Sequence, residues 1–178
     1  MARHILYLDD VPDHLVLMQQ FIERSLPGVV VDTCESVAGA QVALSKHCYD
    51  LIISDINLRD GLGTRVVERI LDSDSEQPTM LVSEYVGDNV EKQIRALEKR
   101  GVSYWPKFAE GNFDELIVMV RKLLAKRPCQ RLSASEDHPD FCRFKICMRP
   151  DHGGELADEQ TSARSPKLVL IQPAVVAA

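Results

Sequence analysis

Five short apolar segments alternate along the chain with longer segments whose apolar residues recur at helical spacing. Each apolar segment suits a strand that is buried on both faces of a sheet. The five predicted strands are residues 5–8, 29–31, 51–54, 79–83 and 102–105. Strands that alternate with helices form parallel sheets with right-handed crossovers. The pattern therefore predicts an α/β fold with a doubly wound parallel sheet and helices on both of its faces.

The segments between the strands carry residues that helix ends prefer. Pro12 suits the first turn of helix one, and Gly101 suits the position just past helix four. Before the last helix, Asn112 and Glu115 have the spacing of an N-cap residue and its capping-box partner. A helix is therefore expected after each of the five strands.

The front and the end of the chain differ in charge and composition. Residues 1–125 carry 20 acidic and 13 basic side chains, whereas residues 126–178 carry 7 and 8. Nucleic-acid binding needs clustered cations that neutralise phosphates, so the acidic front part is not expected to bind nucleic acid. The last 53 residues hold five of the nine prolines, and this composition predicts a largely disordered tail.

The chain is expected to act in the cytoplasm without a membrane partner. No apolar run approaches the roughly 18 residues that span a bilayer. Two aspartates interrupt the N-terminal segment before the apolar core of a signal peptide is complete. The five cysteines are irregularly spaced, so they are expected to be reduced thiols.

Polar side chains end four of the five predicted strands. Asp9 and Asp10 follow the first strand, Asp55 ends the third, Ser83 ends the fourth and Lys107 follows the fifth. In such sheets the functional crevice lies at the carboxyl ends of the strands, so these groups should meet at one edge. Three carboxylates that converge repel one another unless a cation neutralises them, and Mg²⁺ is the natural candidate.

With Asp9 and Asp10 on the metal, Asp55 has a free oxygen that can attack phosphorus and form an acyl phosphate. The Lys107 ammonium and the Ser83 hydroxyl are groups that stabilise a transferring phosphoryl group. Two residues after the nucleophile, Asn57 can offer its backbone carbonyl to the metal. The strand ends therefore predict a phosphoryl-transfer site.

The chain resembles the receiver domains of bacterial two-component response regulators, and the resemblance covers residues 3–125. It rests on YLDD, SDINLRDGLG, LVS and the lysine of YWPKF, in the expected order and spacing. The resemblance implies a flavodoxin-like (βα)5 fold with strand order 2-1-3-4-5. Residues 126–178 form a separate tail in this scheme, with no recognisable output domain.

The resemblance also implies a mechanism. A histidine kinase or histidine phosphotransfer protein would phosphorylate Asp55, with Mg²⁺ at Asp9, Asp10, Asp55 and Asn57. Ser83 and Tyr104 would form the switch pair, and the region from helix four to helix five would contact a downstream protein target. The chain would then be no enzyme beyond its own phosphotransfer and dephosphorylation.

The main departures from the family pattern lie around Lys107 and at Glu84. The family lysine is normally followed by a cis proline, whereas Phe108 follows Lys107 here and Pro106 precedes it. A cis bond into a residue other than proline costs about 3–4 kcal/mol, so either the loop is trans or the cis bond has moved to Trp105–Pro106. Glu84 follows the switch serine where a small residue is usual, and it is expected to modulate access to Asp55.

Two other functions remain open from the sequence. The chain could be a receiver-like binding scaffold that is not phosphorylated, for which Phe108 and Glu84 are the arguments. It could also be an aspartyl-phosphate phosphatase, although that class carries D-x-D where this chain has Asp55-Ile56-Asn57. His4 and His14 are expected to be surface residues. The cysteines and histidines of the tail are too scattered to predict a zinc site.

Overall fold

The computed structural model describes residues 2–84, 88–107 and 113–126. Phe108, Asn112 and residues 127–178 lie outside this part of the chain. So do the N-cap assigned to Asn112, the two tail segments with strand character (141–148 and 167–171) and the tail residues considered for zinc. Within the described residues, no helix combines the length and the apolar character needed to cross a bilayer.

Seven strands and five helices make up the described structure. The strands are β1 (Arg3–Leu8), β2 (Val29–Cys34), β3 (Leu51–Asp55), β4 (Asn57–Leu58), β5 (Gly61–Leu62), β6 (Thr79–Ser83) and β7 (Ser103–Pro106). The helices are α1 (Pro12–Ser25), α2 (Val37–Lys46), α3 (Gly63–Ser73), α4 (Asp88–Glu98) and α5 (Phe113–Lys126).

Five strands form one parallel sheet in the order β2-β1-β3-β6-β7. Counted among these five strands alone, the order is 2-1-3-4-5, so the fold predicted from the sequence is confirmed. The register pairs Ile5 with Val31 and Leu51, and Ile53 with Met80. The sheet order places β1 and β6 on the two sides of β3.

Each face of the sheet packs against its own set of helices. On one face, Tyr7, Ile53 and Trp105 pack with apolar residues of α1 and α5. On the other face, residues such as Leu6, Ile52 and Leu81 pack with α2, α3 and α4. Side chains alternate between the faces along each strand, so the face of any residue near a strand end can be assigned from its neighbours.

The helix ends follow local chemistry. Pro12 occupies the first turn of α1, as expected. The hydroxyl of Ser36 accepts a hydrogen bond from the backbone N–H of Gly39 at the start of α2. Gly101 has φ +90°, a left-handed conformation that favours glycine, and it closes the turn after α4.

The small hairpin formed by β4 and β5 was not predicted from the sequence. These two-residue strands are antiparallel and stand apart from the main sheet. In the turn between them, the carboxylate of Asp60 accepts hydrogen bonds from the backbone N–H groups of Val37 and Ala38, at 2.8 and 3.1 Å. The hairpin therefore connects the segment after Asp55 to the N-terminus of α2.

Candidate functional site

The polar residues at the carboxyl ends of the strands meet in one pocket. Asp55 ends β3, Asp9 follows β1 directly, and Lys107 follows β7 directly. All three are buried although each carries an ionisable group. Such groups are rarely buried unless they are paired, so the pocket has a role other than simple packing.

Lys107 joins the two buried carboxylates. Its Nζ donates hydrogen bonds to Asp9 Oδ2 at 2.6 Å and to Asp55 Oδ2 at 2.8 Å. The lysine side chain is 2% exposed, so these contacts are shielded from water. The backbone N–H of Lys107 also donates to the carbonyl oxygen of Ser83 at 2.7 Å, which fixes the start of the loop. Lys107 therefore reaches the pocket although Phe108 replaces the usual proline.

The peptide bond before Pro106 is trans, because no cis bond occurs among the described residues. The alternative in which the cis bond moves to Trp105–Pro106 is therefore wrong. Proline, which lacks a backbone N–H, is tolerated at position 106 because β7 pairs only with β6 among the residues that the structure describes. The Lys107–Phe108 bond lies outside the described residues.

Asp55 is held from both sides. Its Oδ1 accepts a hydrogen bond from the backbone N–H of Ile56 at 2.6 Å, and its Oδ2 faces Lys107. Burial raises the pKa of Asp55 above its usual value, while Lys107 opposes that shift. The energy of the ionised carboxylate is therefore higher than in water, which favours a reaction or a cation that neutralises its charge.

The main chain next to Asp55 is closely packed. A Cβ atom placed on Gly63, the first residue of α3, would lie 1.8 Å from the carbonyl oxygen of Asp55 and 2.4 Å from Ser54 Oγ. The hydroxyl of Ser54 donates to the same carbonyl at 2.8 Å. Only glycine fits at position 63, and the close approach of α3 holds Asp55 in place.

Three carboxylates are close enough to share a cation. Asp9, Asp10 and Asp55 each offer an oxygen within 4.8 Å of the others. Asp9 and Asp55 are buried, and Asp10 is partly exposed. Hard oxygen ligands of this kind suit Mg²⁺, and Lys107 supplies a single positive charge against three carboxylates. The donor set therefore fits a divalent ion.

Asn57 and Glu84 lie at the edge of this group. Asn57 is exposed and begins β4, two residues after Asp55. The side chain of Glu84, directly after Ser83, is 56% exposed. Both residues are close in sequence to pocket residues, and both are more exposed to solvent than the carboxylates inside.

Ser83 and Tyr104 lie on the face of the sheet that packs against α3 and α4. Tyr104 packs against the apolar cluster that contains Leu81 of β6 and Ile94 of α4, and Ser83 shares the face of Leu81 because it lies two residues further along β6. Burial and the charge of Asp55 raise the pKa of the Tyr104 phenol. Tyr104 therefore lies near enough to Asp55 for its phenol to sense the charge of that carboxylate.

Two pocket residues were not predicted from the sequence. Tyr7 is buried, and its hydroxyl donates to Asp9 Oδ2 at 2.9 Å. His14 was expected to be a surface residue, which is wrong: its side chain is 20% exposed, and its Nδ1 lies 3.3 Å from Asp9 Oδ2. Their sequence signals were a tyrosine two residues before Asp9, on the same strand face, and a histidine in the first turn of α1.

The chain belongs to the response regulator receiver domain family, because residues 5–121 match the family's model. This match covers more than half of the chain and includes every pocket residue named above. The resemblance inferred from the sequence is therefore confirmed. Receivers of this family act in two-component phosphorelay signalling.

Individual relatives agree with this assignment. The chain is 28% identical over 130 residues to the transcriptional regulatory protein PcoR of Escherichia coli, which covers 73% of this chain and 54% of PcoR. It thus spans about half the length of that relative. The response regulator TrrA of Thermotoga maritima, solved in complex with Mg²⁺-BeF, is 27% identical with a TM-score of 0.58, over 68% of this chain and 98% of TrrA.

A second solved structure supports the fold alone. The non-phosphorylated HemR receiver domain of Leptospira biflexa superposes with a TM-score of 0.60 at 20% identity. That comparison covers 71% of this chain and 98% of the HemR domain.

Proposed function

We propose that this chain is a response regulator that accepts a phosphoryl group on Asp55 from the phosphohistidine of a histidine kinase or a histidine phosphotransfer protein. One observation carries the proposal: Asp55 Oδ2 lies 2.8 Å from Lys107 Nζ, with Asp9 and Asp10 beside it. Phosphoryl transfer to a carboxylate needs a nucleophile, a fixed cation for the phosphoryl oxygens and a site for a metal ion. The pocket contains residues suited to all three roles.

In the transfer step, an oxygen of Asp55 forms a bond to phosphorus as the P–N bond of the donor breaks. The electron pair of that bond leaves with the donor nitrogen, and a histidine that is protonated on its second nitrogen departs as neutral imidazole. Lys107 would stabilise charge on the phosphoryl oxygens, and the Ser83 hydroxyl would add to this once it moves toward the phosphoryl group. The buried setting strengthens these interactions relative to water.

Asp9, Asp10, Asp55 and the backbone carbonyl of Asn57 would hold Mg²⁺. When bound, the ion supplies positive charge that offsets the repulsion between the carboxylates and the incoming phosphoryl group. The complex of TrrA with Mg²⁺-BeF supports this assignment by analogy. Glu84, at the rim, modulates access to Asp55.

Output is by contact with a downstream protein in the cytoplasm. Ser83 and Tyr104 act as the switch pair: the hydroxyl moves toward the phosphoryl group, and the ring moves inward. Because Tyr104 packs beside α4, its movement alters the surface formed by α4, β7 and α5. In this scheme the chain turns over no other substrate and binds no nucleic acid.

Intact-protein mass spectrometry tests the proposal. The full chain is incubated with Mg²⁺ and either a phosphorylated histidine phosphotransfer protein or phosphoramidate. The wild-type chain should gain one phosphoryl group, and Asp55→Asn or removal of Mg²⁺ with a chelator should abolish the gain. A phosphoryl group that persists in Asp55→Asn would contradict the assignment of the acceptor.

A fluorescence titration distinguishes the alternative functions. Trp105 is buried two residues before Lys107, so its emission should change when Mg²⁺ and the phosphate mimic beryllofluoride bind. If emission does not change and no donor labels the chain, the binding scaffold is the better description. Sustained hydrolysis of a generic phosphate ester would favour the phosphatase, which requires an acid/base group that Asn57 does not provide.

A further inference from the structure

His14 links a buried carboxylate of the pocket to an exposed one at its rim. Its Nδ1 lies 3.3 Å from Asp9 Oδ2, and its Nε2 lies 3.4 Å from Glu84 Oε1. The imidazole is mostly buried, whereas the Glu84 side chain is largely exposed. The contacts therefore form a series from Asp9 through His14 to Glu84 that leads from the interior to solvent.

The sheet order places this series of contacts across the proposed phosphoacceptor, Asp55. His14 belongs to the helix that follows β1, and Glu84 follows β6; these two strands flank β3. A contact between them passes the carboxyl end of β3, where Asp55 lies. Asp55 also faces the side of the sheet that packs against α1, because Ile53 lies two residues before it and packs there. His14 and Glu84 therefore border the approach to Asp55.

We infer that His14 and Glu84 select the phosphodonor by its charge, disfavouring free acyl phosphates and favouring N-phosphorylated donors such as phosphohistidine. This inference rests on the proposed phosphorylation of Asp55. His14 holds the Glu84 carboxylate near the pocket, where its negative charge repels an anionic donor. Both residues act as positioning and selectivity residues; neither takes part in the bond changes at phosphorus.

Two small phosphodonors differ in net charge. Near neutral pH acetyl phosphate is a dianion, whereas phosphoramidate is a monoanion because its nitrogen carries a proton. With either donor an Asp55 oxygen bonds to phosphorus; a P–O bond breaks and its electron pair leaves with acetate, or a P–N bond breaks and its pair leaves with ammonia. Coulomb repulsion scales with donor charge, so Glu84 should slow the dianion more.

The first experiment measures initial phosphorylation rates with both donors in saturating Mg²⁺. Glu84→Gln keeps the size of the side chain and removes its charge. We expect the rate to rise about threefold with phosphoramidate and about tenfold with acetyl phosphate. A doubled donor charge doubles the repulsion energy, and the factor by which the rate changes is then squared. Equal factors for the two donors, or no change with either, would overturn charge selection. We define the acetyl phosphate preference as the rate with acetyl phosphate divided by the rate with phosphoramidate. Added NaCl should raise this preference in the wild type and leave it nearly constant in Glu84→Gln.

The second experiment tests the role of His14. His14→Leu removes both ring nitrogens, so Glu84 should spend less time near Asp55 and the acetyl phosphate preference should rise, though less than in Glu84→Gln. In the double variant, His14→Leu should add nothing, since it acts through Glu84. An additive effect would show that His14 acts independently. Asp13→Asn, an exposed charge in the same helical turn, is the matched control and should leave the preference unchanged.

The outcomes separate this inference from the proposed function. If the wild type is labelled on Asp55 and the variants keep its donor preference, only the charge selection is wrong. If neither small donor nor a phosphohistidine protein labels the wild type, the proposed function is wrong and the donor selection fails with it. Circular dichroism of each variant checks the fold, which the exposed Glu84 substitution should not disturb.

Discussion

Asp9 accepts hydrogen bonds on both of its carboxylate oxygens although it is fully buried. Oδ1 accepts from the backbone N–H of Val11 at 3.0 Å, and Oδ2 accepts from Tyr7 and Lys107. A buried carboxylate with this many donors is held in one orientation. Burial and the nearby Asp9 raise the pKa of Tyr7, so its hydroxyl keeps its proton and remains a donor.

Tyr7→Phe should therefore destabilise the protein with little change in packing. Removing a hydrogen bond to a buried charged group is expected to lower the free energy of unfolding by about 2 kcal/mol. Urea denaturation of the metal-free protein measures this loss. Tyr104→Phe is the control, because the Tyr104 side chain is only partly buried, and it should cost less than about 0.5 kcal/mol. Equal losses in the two variants would show that the Tyr7 hydroxyl has no special role.

At the scale of the elements, α1 protects the outer edge of the sheet. Within the described part of the chain, β2 pairs with β1 on one side only, so its other edge has backbone groups without strand partners. Glu23 Oε1 accepts from the N–H of Val31 at 2.9 Å, and Gln19 Nε2 donates to the carbonyl of Val31 at 2.8 Å. Two side chains one helical turn apart thus form hydrogen bonds with both backbone groups of one edge residue, Val31.

Glu23→Ala should leave the Val31 N–H without this acceptor. The expected loss in the free energy of unfolding is about 1–2 kcal/mol, the cost of a buried donor that loses its partner. Hydrogen exchange of the Val31 amide, followed by NMR, should quicken as well. Gln20→Ala, an exposed position on the same helix, should change neither quantity appreciably. Unchanged Val31 exchange in Glu23→Ala would contradict the edge-protection account.

The sequence predicts the sheet better than it predicts the hairpin. The five sheet strands are nearly continuous apolar runs because helices cover both faces, and such runs are visible without a structure. The β4–β5 hairpin spans six residues with only two apolar side chains, Leu58 and Leu62, so its only signal is the Asp60-Gly61 turn pair. Its link to α2 depends on tertiary placement, which no local pattern contains.

The candidate site, like the fold, could be predicted only in part from the sequence. Asp9, Asp55 and Lys107 could be placed together because parallel strands bring their carboxyl ends to one edge. The contributions of Tyr7 and His14 depend on strand face, helix orientation and rotamer, which are set only when α1 packs on the sheet. The requirement for glycine at position 63 likewise arises from the approach of α3 to Asp55, and the sequence shows only a glycine near a helix start.

At the scale of the whole molecule, the pocket connects separate parts of the chain. Its carboxylates come from the β1–α1 junction and from β3, and its lysine comes from the far edge after β7. The raised pKa of Asp55 indicates that its ionised form costs folding free energy, because the folded pKa lies above the unfolded one. That cost is complete above the folded pKa and disappears as the pH falls below the unfolded pKa.

A cation that neutralises the buried negative charge of Asp55 should stabilise the whole domain. Mg²⁺ at ten times its dissociation constant is expected to raise the free energy of unfolding by about 1.4 kcal/mol, since it binds the folded state only. Thermal and urea denaturation with and without Mg²⁺ measure the gain, with NaCl at matched ionic strength to exclude simple screening. Asp10→Asn should reduce the gain, because this partly exposed ligand can be changed with little disturbance of the core. Asp13→Asn removes a nearby charge outside the pocket and should keep the gain in stability. An equal loss of this gain in both variants would contradict a site formed by Asp9, Asp10 and Asp55. It would mean that Mg²⁺ acts on the general charge of α1.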